Sequence, residues 1–316
     1  MAAKAATATR REVQRVPVAT IANGHELELV IHRLRGSGDG PTLGLIGGIH
    51  GDEPIGMENV RCTLQAFEQE PFSGELIAIP VANAYAFQSL TRNTPVDMTN
   101  LNRIFPGDPN GTLTEQLAHV ICEHLLPACD YLIDFHSGGN LATVDYVYRH
   151  DERGLAEAFG CELLFRGPSY EGSLGYVARE RGIPVVVSEL GGGQQRNAHF
   201  VEKGVRGARN VMRALGMCDG EPDLPEQQLL VDEIAILRPH QGGIMLSSLG
   251  PERLGEAVPR GTELARILSP YTFDVLETLI APFEPTLLVL VREQITKVDP
   301  GDYGFMVANG ATATPV

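Results

Sequence analysis

Short apolar runs alternate with amphipathic helix patterns along the first two thirds of this 316-residue chain. The runs have the length and composition of buried strands and occupy residues 42–46, 76–81, 131–135 and 184–187. Apolar residues spaced by three and four, as on one face of a helix, occupy residues 57–67, 113–125 and 197–215. This alternation predicts an α/β fold with a mixed, mostly parallel sheet flanked by helices.

The pattern changes at a Pro-rich acidic segment, residues 219–225. Beyond it, short strand patterns alternate with glycine and proline turns, and helical periodicity disappears. The Ala-rich N-terminus has no such pattern and is expected to fray. We therefore predict a flexible tail at 1–15, an α/β domain at 16–220 and a small all-β module at 226–316.

Charge and cysteine content narrow the classes of partner. The formal net charge is −15, which excludes long-range attraction to nucleic acid or to an anionic membrane surface. An apolar run of the length needed to span a bilayer is absent from the sequence. The five cysteines are widely spaced and form no CxxC pair, which favours reduced thiols and predicts a cytoplasmic protein. We expect a small-molecule partner.

Two histidines and an acid are placed where a metal site can form. His50 and Glu53 follow the run at 42–46, and His136 follows the run at 131–135. The carboxyl ends of parallel strands meet at one edge of a sheet, so these three side chains can converge. Two imidazoles and one carboxylate leave Zn²⁺ with an open position, the arrangement of catalytic zinc sites. The alternative is a helix-capping His50 and an ordinary loop histidine at position 136.

A second acid and two arginines accompany this group. Glu189 follows the run at 184–187 and precedes three glycines, which suits a general base acting on water. The alternative is an exposed glutamate at the start of a loop. Arg92 and Arg103 lie in a long irregular stretch, 83–110. Guanidinium groups pair with carboxylates and stabilise oxyanions, although single arginines are usually ordinary surface residues.

Taken together, four motifs resemble the succinylglutamate desuccinylase/aspartoacylase family, a branch of the zinc carboxypeptidase superfamily. They are residues 48–53 (GIHGDE), 100–107 (NLNRIFPG), 134–139 (DFHSGG) and 188–191 (SELG). Within the family, the sequence is most similar to the N-acetyl-diaminobutyrate deacetylase-like branch. The resemblance implies a zinc-carboxypeptidase-like fold. It also implies that the all-β module is a biotinyl/lipoyl-like sandwich that shields the site or contributes to a homo-oligomer.

The resemblance also assigns roles to individual residues. It implies that His50, Glu53 and His136 are ligands of one zinc ion per chain and that Glu189 is the general base. It further implies that Arg92 polarises the scissile carbonyl. The substrate carboxylate is assigned to two residues, Asn102 and Arg103.

The expected activity is hydrolysis of the amide of a small N-acyl amino acid. A zinc carboxypeptidase acting on short peptides remains the main alternative, because the same residues would serve it. A ligand-sensing relative without activity and a serine hydrolase using Ser137 or Ser188 are further alternatives. Asp134 lies two residues before His136, and the sequence leaves open whether it orients that histidine or only ends a strand.

Overall fold

The computed structural model describes residues 11–150, 154–193 and 197–316. The helices within these ranges are α1 (Pro54–Phe67), α2 (Ala84–Ser89), α3 (Leu113–His124), α4 (Leu155–Phe159), α5 (Leu174–Glu180) and α6 (Asn197–Ala214). The strands up to the linker are β1 (Arg11–Thr20), β2 (Glu26–Arg35), β3 (Thr42–Gly47), β4 (Glu75–Ile79), β5 (Tyr131–His136), β6 (Ala142–Tyr148), β7 (Leu163–Phe165) and β8 (Val185–Gly192). The strands beyond it are β9 (Leu229–Val231), β10 (Ile234–Leu237), β11 (Gly243–Ser247), β12 (Ala257–Val258), β13 (Glu263–Leu268), β14 (Val275–Ile280), β15 (Thr286–Arg292), β16 (Ile295–Val298), β17 (Phe305–Asn309) and β18 (Thr314–Pro315).

One large mixed sheet organises the molecule. Its main strand order is β1-β2-β4-β3-β5-β8-β6-β15-β17-β10, and the four central strands β4, β3, β5 and β8 are parallel. The strands flanking this centre on its path pair antiparallel. A separate antiparallel sheet has the order β14-β13-β11-β16. The fold is therefore mixed α/β, as the alternating pattern predicts.

Helices cover both faces of the parallel centre. Leu43 and Leu45 of β3 are fully buried in a core shared with α1, α4 and α6. Ile46 lies on the opposite face, in a core shared with α3 and α5. Successive residues of a strand point to opposite faces, so a continuous apolar run is needed where both faces are covered. No helix in the described ranges is both long and apolar enough to cross a membrane.

The N-terminal segment differs from the predicted tail. Residues 1–10 of that tail lie outside the described residues, but residues 11–15 form the first half of β1. This strand pairs antiparallel with β2 over nearly its whole length, and Arg15 contacts Glu28 at 2.9 Å. The alternating sequence of β2 buries one face and leaves its backbone edge open, and β1 satisfies that edge. The expectation of a flexible tail is wrong for residues 11–15.

The predicted C-terminal module also differs in its attachment. Only β11, β13, β14 and β16 form the separate sheet. Strands β15, β17 and β10 extend the large sheet, because β15 pairs with β6. The apolar side chains of Val144 and Leu290 meet across this junction. A boundary at 220–226 therefore marks a change of sequence pattern, while the sheet continues across it.

Candidate active site

Tight turns after β3 bring His50 and Glu53 to the carboxyl edge of the parallel strands. Gly48 adopts φ +67°, which favours glycine. A Cβ on Gly51 would lie 1.9 Å from the carbonyl carbon of Ala86, so the chain can pass there only without a side chain. Glu53 is the residue immediately before α1, and Pro54 occupies the first helical position. The stretch at 83–110, which was predicted to be irregular, contains the short helix α2. This helix packs against the turn at Gly51.

His50, Glu53 and His136 converge on one point. Oε1 of Glu53 lies 2.8 Å from Nδ1 of His50, and Oε2 lies 2.8 Å from Nδ1 of His136. The ring centroids are 5.0 Å apart, and all three side chains are buried. One donor atom from each residue lies within 4.8 Å of the others. Such a buried set of two nitrogens and one carboxylate fits a divalent ion of the zinc type.

The second nitrogen of each imidazole also has a neighbour. Nε2 of His50 lies 3.2 Å from Oδ1 of Asn100. Nε2 of His136 lies 3.2 Å from Oδ1 of Asp134 and 3.3 Å from Nδ2 of Asn102. An acceptor at Nε2 fixes the ring and leaves the Nδ1 lone pair for a metal. Asp134 therefore contacts the histidine that it precedes by two residues.

Glu189 lies inside a strand. The predicted run at 184–187 continues as β8 to Gly192, because β6 pairs with its second half. Glu189 pairs with His136 on one side and with Tyr146 on the other, so the three side chains share a face. Burial raises the pKa of Glu189 to about 8. Its side chain lines the cavity that the other site residues also line. This carboxyl group can therefore accept or donate a proton near neutral pH.

The irregular stretch supplies the cationic side of the site. Nη1 of Arg92 donates to Oε1 of Glu53 at 3.1 Å, and the Arg92 side chain is half exposed. The guanidinium of Arg103 lies 4.7 Å above the ring of Tyr170 and donates to the carbonyl of Asn102 at 2.7 Å. Oδ1 of Asn102 accepts from the backbone N–H of Leu174 at 3.0 Å. These contacts attach the stretch to α5 and to the buried histidines.

A single cavity of about 710 Å³ collects all seven site residues that the sequence predicts. They are His50, Glu53, Arg92, Asn102, Arg103, His136 and Glu189. The structure thus brings together residues that are up to 139 positions apart in the chain. Their roles remain predictions.

Sequence reasoning missed the opposite wall of this cavity. Tyr146 and Tyr148 line it from β6, and Arg292, Tyr303 and Met306 line it from beyond the linker. The period-two spacing of Tyr146 and Tyr148 was an available signal for a half-buried strand. The contribution of the C-terminal strands depends on the pairing of β15 with β6, and local sequence carries no signal for that pairing.

Comparisons with known proteins agree with the motif resemblance. The profile of the succinylglutamate desuccinylase/aspartoacylase catalytic domain matches residues 39–215. The N-alpha-acetyl-L-2,4-diaminobutyric acid deacetylase of Halomonas elongata is 30% identical over 263 residues, which cover 78% of this chain and 75% of that protein.

Solved structures share the complete architecture. A succinylglutamate desuccinylase from Silicibacter sp. TM1040 superposes with a TM-score of 0.82 at 25% identity, covering 95% of this chain and 94% of that one. The product-bound ectoine utilization protein EutE of Ruegeria pomeroyi superposes with a TM-score of 0.81 at 26% identity, covering 95% of each chain. The likeness extends over the C-terminal strands as well as over residues 39–215.

Proposed function

Because the chain belongs to the succinylglutamate desuccinylase/aspartoacylase family, we propose that it is a zinc-dependent deacylase that cleaves the amide of a small N-acyl amino acid. The observation that carries the proposal is the convergence of His50, Glu53 and His136 in the cavity that also contains Glu189. These groups are those that metal-assisted amide hydrolysis requires.

His50, Glu53 and His136 would hold the zinc ion, one per chain. When bound, the ion supplies a Lewis acid for the scissile carbonyl and makes water more acidic. Asp134 orients the imidazole of His136, and Asn100 orients that of His50, each through a contact at Nε2. Burial of all three ligands keeps bulk water from competing for their donor atoms.

Glu189 moves the proton. Its carboxylate takes a proton from the attacking water as the new C–O bond forms at the carbonyl carbon. It then delivers that proton to the nitrogen as the C–N bond breaks, so that a carboxylic acid and a free amine leave. The position of Glu189 on the same sheet face as His136 supports this role.

The arginines orient the substrate. Arg92 is within 3.1 Å of a proposed zinc ligand, and its half-exposed guanidinium can reach the oxygen of the scissile carbonyl as negative charge develops. Asn102 and Arg103 would hold the carboxylate of the amino acid. The stacking of Arg103 on Tyr170 restricts its guanidinium before substrate arrives.

A carboxypeptidase acting on short peptides would use the same residues. The C-terminal strands form one wall of the cavity, and this wall favours small substrates over extended chains. The name of the Halomonas relative points to an N-acetylated diamino acid as one member of the substrate class.

Metal analysis combined with a substrate panel tests the proposal. Purified protein should contain about one zinc per chain. It should hydrolyse N-acetyl or N-succinyl amino acids and leave free and C-terminally blocked dipeptides intact. Zinc below about a tenth of an equivalent together with no hydrolysis would contradict the proposal. Cleavage of dipeptides alone would favour the peptidase.

A further inference from the structure

The cavity has a recess beside Glu189, towards the start of β8. Val187 lies two residues before Glu189 and points to the same face of the sheet. It pairs with Tyr148 of β6, which pairs in turn with Phe165 of β7. All four residues line the cavity. Three strands therefore form one wall of the recess next to the proposed general base.

Helix α5 and the loop before it form the opposite wall. A Cβ on Gly175 would lie 3.2 Å from Cγ2 of Val187, so this helix packs directly over the strand. Tyr170 lies in the loop, and the guanidinium of Arg103 is 4.7 Å from the centroid of its ring. Gly175 and Tyr170 also line the cavity. We call the space between the two walls the α5 recess, bounded by Val187, Tyr148, Phe165, Tyr170 and Gly175.

The α5 recess is placed for the side chain of the amino acid. In the proposed reaction, the substrate carboxylate binds Asn102 and Arg103, and the substrate nitrogen receives a proton from Glu189. Both groups are attached to the same Cα. The recess borders Arg103 through Tyr170 and borders Glu189 through Val187. The third substituent of that Cα, the side chain, therefore points into the recess.

One hydroxyl of the recess has a proton to offer. The hydroxyl of Tyr146 donates to the hydroxyl of Tyr148 at 3.3 Å, and among the described residues the Tyr148 hydroxyl has no second hydrogen-bond partner. The Tyr148 ring stacks on His150 and packs against Phe165, at centroid distances of 5.2 Å and 5.5 Å, and these contacts fix its direction. Burial raises the pKa of Tyr148, so its hydroxyl remains a donor at neutral pH.

This hydroxyl lies within reach of a short side chain. It contacts Tyr146, which pairs directly with Glu189. Residues on one face of a strand are about 6.8 Å apart, so one such step separates Tyr148 from this pair. The amide oxygen of an asparagine side chain extends about 3.5 Å from its Cα, and a hydrogen bond adds about 2.8 Å. A side chain with an oxygen at this position can therefore reach Tyr148.

The other polar groups near the recess favour a neutral acceptor. Arg179 lines the cavity and donates to the hydroxyl of Ser169 at 2.6 Å. Burial, followed by the charge of Arg179, lowers the pKa of His150 to about 4, so this imidazole is neutral at neutral pH. A ligand ammonium would bring only donors towards a phenol and a guanidinium. A second carboxylate would have to leave water for a site whose arginine is already engaged, which is costly.

We propose that the α5 recess binds the side chain of the amino acid and that the Tyr148 hydroxyl donates a hydrogen bond to a neutral carbonyl oxygen on it. Tyr148 is then a specificity-determining residue, and Tyr146 is the positioning residue that orients its hydroxyl. The preferred substrates are N-acyl amino acids with a short side-chain amide, such as asparagine. This inference rests on the proposed deacylase function and specifies its amine product.

A substrate series on the zinc-loaded protein tests the inference. The substrates are the N-acetyl derivatives of L-asparagine, L-leucine, L-aspartate and L-2,4-diaminobutyrate, and the N-succinyl derivatives form a second set. Asparagine and leucine branch at the same carbon and differ mainly in their polar atoms. We expect kcat/KM to be at least about tenfold higher for asparagine than for leucine, because leucine leaves the buried hydroxyl without a partner.

The other rankings overturn the inference. Equal kcat/KM for asparagine and leucine would remove the hydrogen bond to Tyr148. A higher value for aspartate or for diaminobutyrate than for asparagine would show that the recess selects a charged side chain. Each of these outcomes leaves the deacylase function intact. No hydrolysis in either set would overturn both the inference and the proposed function.

A matched pair of variants locates the hydrogen bond. Tyr148→Phe removes only the hydroxyl, and Tyr131→Phe makes the same change at the start of β5, outside the cavity. We expect Tyr148→Phe alone to lower kcat/KM for N-acetyl-asparagine about tenfold, mainly through KM, and to change N-acetyl-leucine less than about twofold. Calorimetric binding of the product L-asparagine should weaken in parallel. Equal losses for the two substrates would indicate a structural role and overturn the inference.

Tyr146→Phe tests the order of the pair. This variant leaves the Tyr148 hydroxyl in place but removes the group that orients it, so we expect a smaller loss for N-acetyl-asparagine, about threefold. The double variant should be no worse than Tyr148→Phe, because Tyr146 acts only through Tyr148. Multiplied losses in the double variant would overturn the positioning role of Tyr146. If Tyr148→Phe does not fold, the asparagine and leucine comparison in Tyr146→Phe and in the unaltered protein decides the inference.

Discussion

Glu53 and Glu189 are glutamates of one cavity with opposite pKa shifts. Burial alone would raise the pKa of Glu53, but the two imidazoles at 2.8 Å hold it well below its usual range. For Glu189, burial outweighs the charges of His136 and Arg92 and raises the pKa to about 8. The first carboxylate thus remains ionised as a ligand requires, and the second can carry a proton. The surroundings of the two identical side chains thus give each the pKa that its proposed role requires.

Replacing Glu189 by glutamine separates these roles. Glu189→Gln keeps the shape of the side chain and removes its capacity to accept a proton. We expect kcat to fall at least about a hundredfold, whereas zinc content stays near one per chain. Steady-state kinetics and metal analysis measure the two quantities on the same sample. Glu263→Gln, an exposed change on β13, is the control, and retained turnover in Glu189→Gln would refute the assignment of the base.

At the scale of elements, one aspartate attaches the irregular stretch to a helix. Oδ2 of Asp97 accepts from the backbone N–H of Thr114 at 2.9 Å, and Oδ1 accepts from its hydroxyl at 2.7 Å. The backbone N–H of Thr99 donates to the same carboxylate at 3.1 Å. Asp97 lies between the proposed substrate residues Arg92 and Asn102, so α3 holds the position of both through it.

Removing this attachment should affect stability and catalysis together. Asp97→Asn replaces an acceptor by an N–H₂ group that faces the donors of Thr114, and the loss of charged hydrogen bonds costs about 1–3 kcal/mol in the free energy of unfolding. We expect a lower Tm and about a tenfold lower kcat/KM, because Arg92 and Asn102 lose their alignment. Zinc content should not change. Asp39→Asn, at an exposed turn, is the control, and an unchanged Tm and kcat/KM in Asp97→Asn would contradict the role of the attachment.

The difference in Tm between the wild-type protein and Asp97→Asn should also depend on pH. Burial alone would raise the pKa of Asp97, but the hydrogen bonds from Thr114 and Thr99 outweigh it and lower the pKa. A carboxylate with a lowered native pKa stabilises the fold above its unfolded pKa of about 3.9 and loses this contribution as pH falls through the native value. The difference between wild type and Asp97→Asn should therefore be largest above about pH 5 and shrink below about pH 4.

The local sequence pattern predicts the strands that are buried on both faces and the helices that cover them. The strands β3, β5 and β8 and the helices α1, α3 and α6 could be recognised because their apolar runs or three-and-four spacing are continuous. The convergence of His50 and His136 followed from the shared edge of parallel strands. Strand β6 was missed because Gly138, Gly139 and Asn140 come shortly before it and its alternation is short. The attachment of β15 to β6 could not be predicted, because strand pairing between distant segments depends on which edges the rest of the fold leaves open.

At the scale of the whole molecule, the large sheet joins the two sides of the linker. Strand β15 pairs with β6, and β9 pairs with β7. The active-site cavity is bordered by strands from both sides of residues 219–225. The C-terminal strands are therefore part of the cavity wall as well as part of the sheet.

This continuity predicts that the segment before the linker does not fold alone. A chain truncated after residue 225 would leave the backbone edge of β6 unpaired at residues 142–144 and expose Val144, which is now buried. Unpaired apolar edges promote association between strands, so we expect the truncated chain to aggregate. As a control, the full-length protein carries a protease site in the linker, and the two fragments should remain associated after cleavage. Cooperative unfolding of the truncated chain near the Tm of the intact protein would show that the two parts are independent domains.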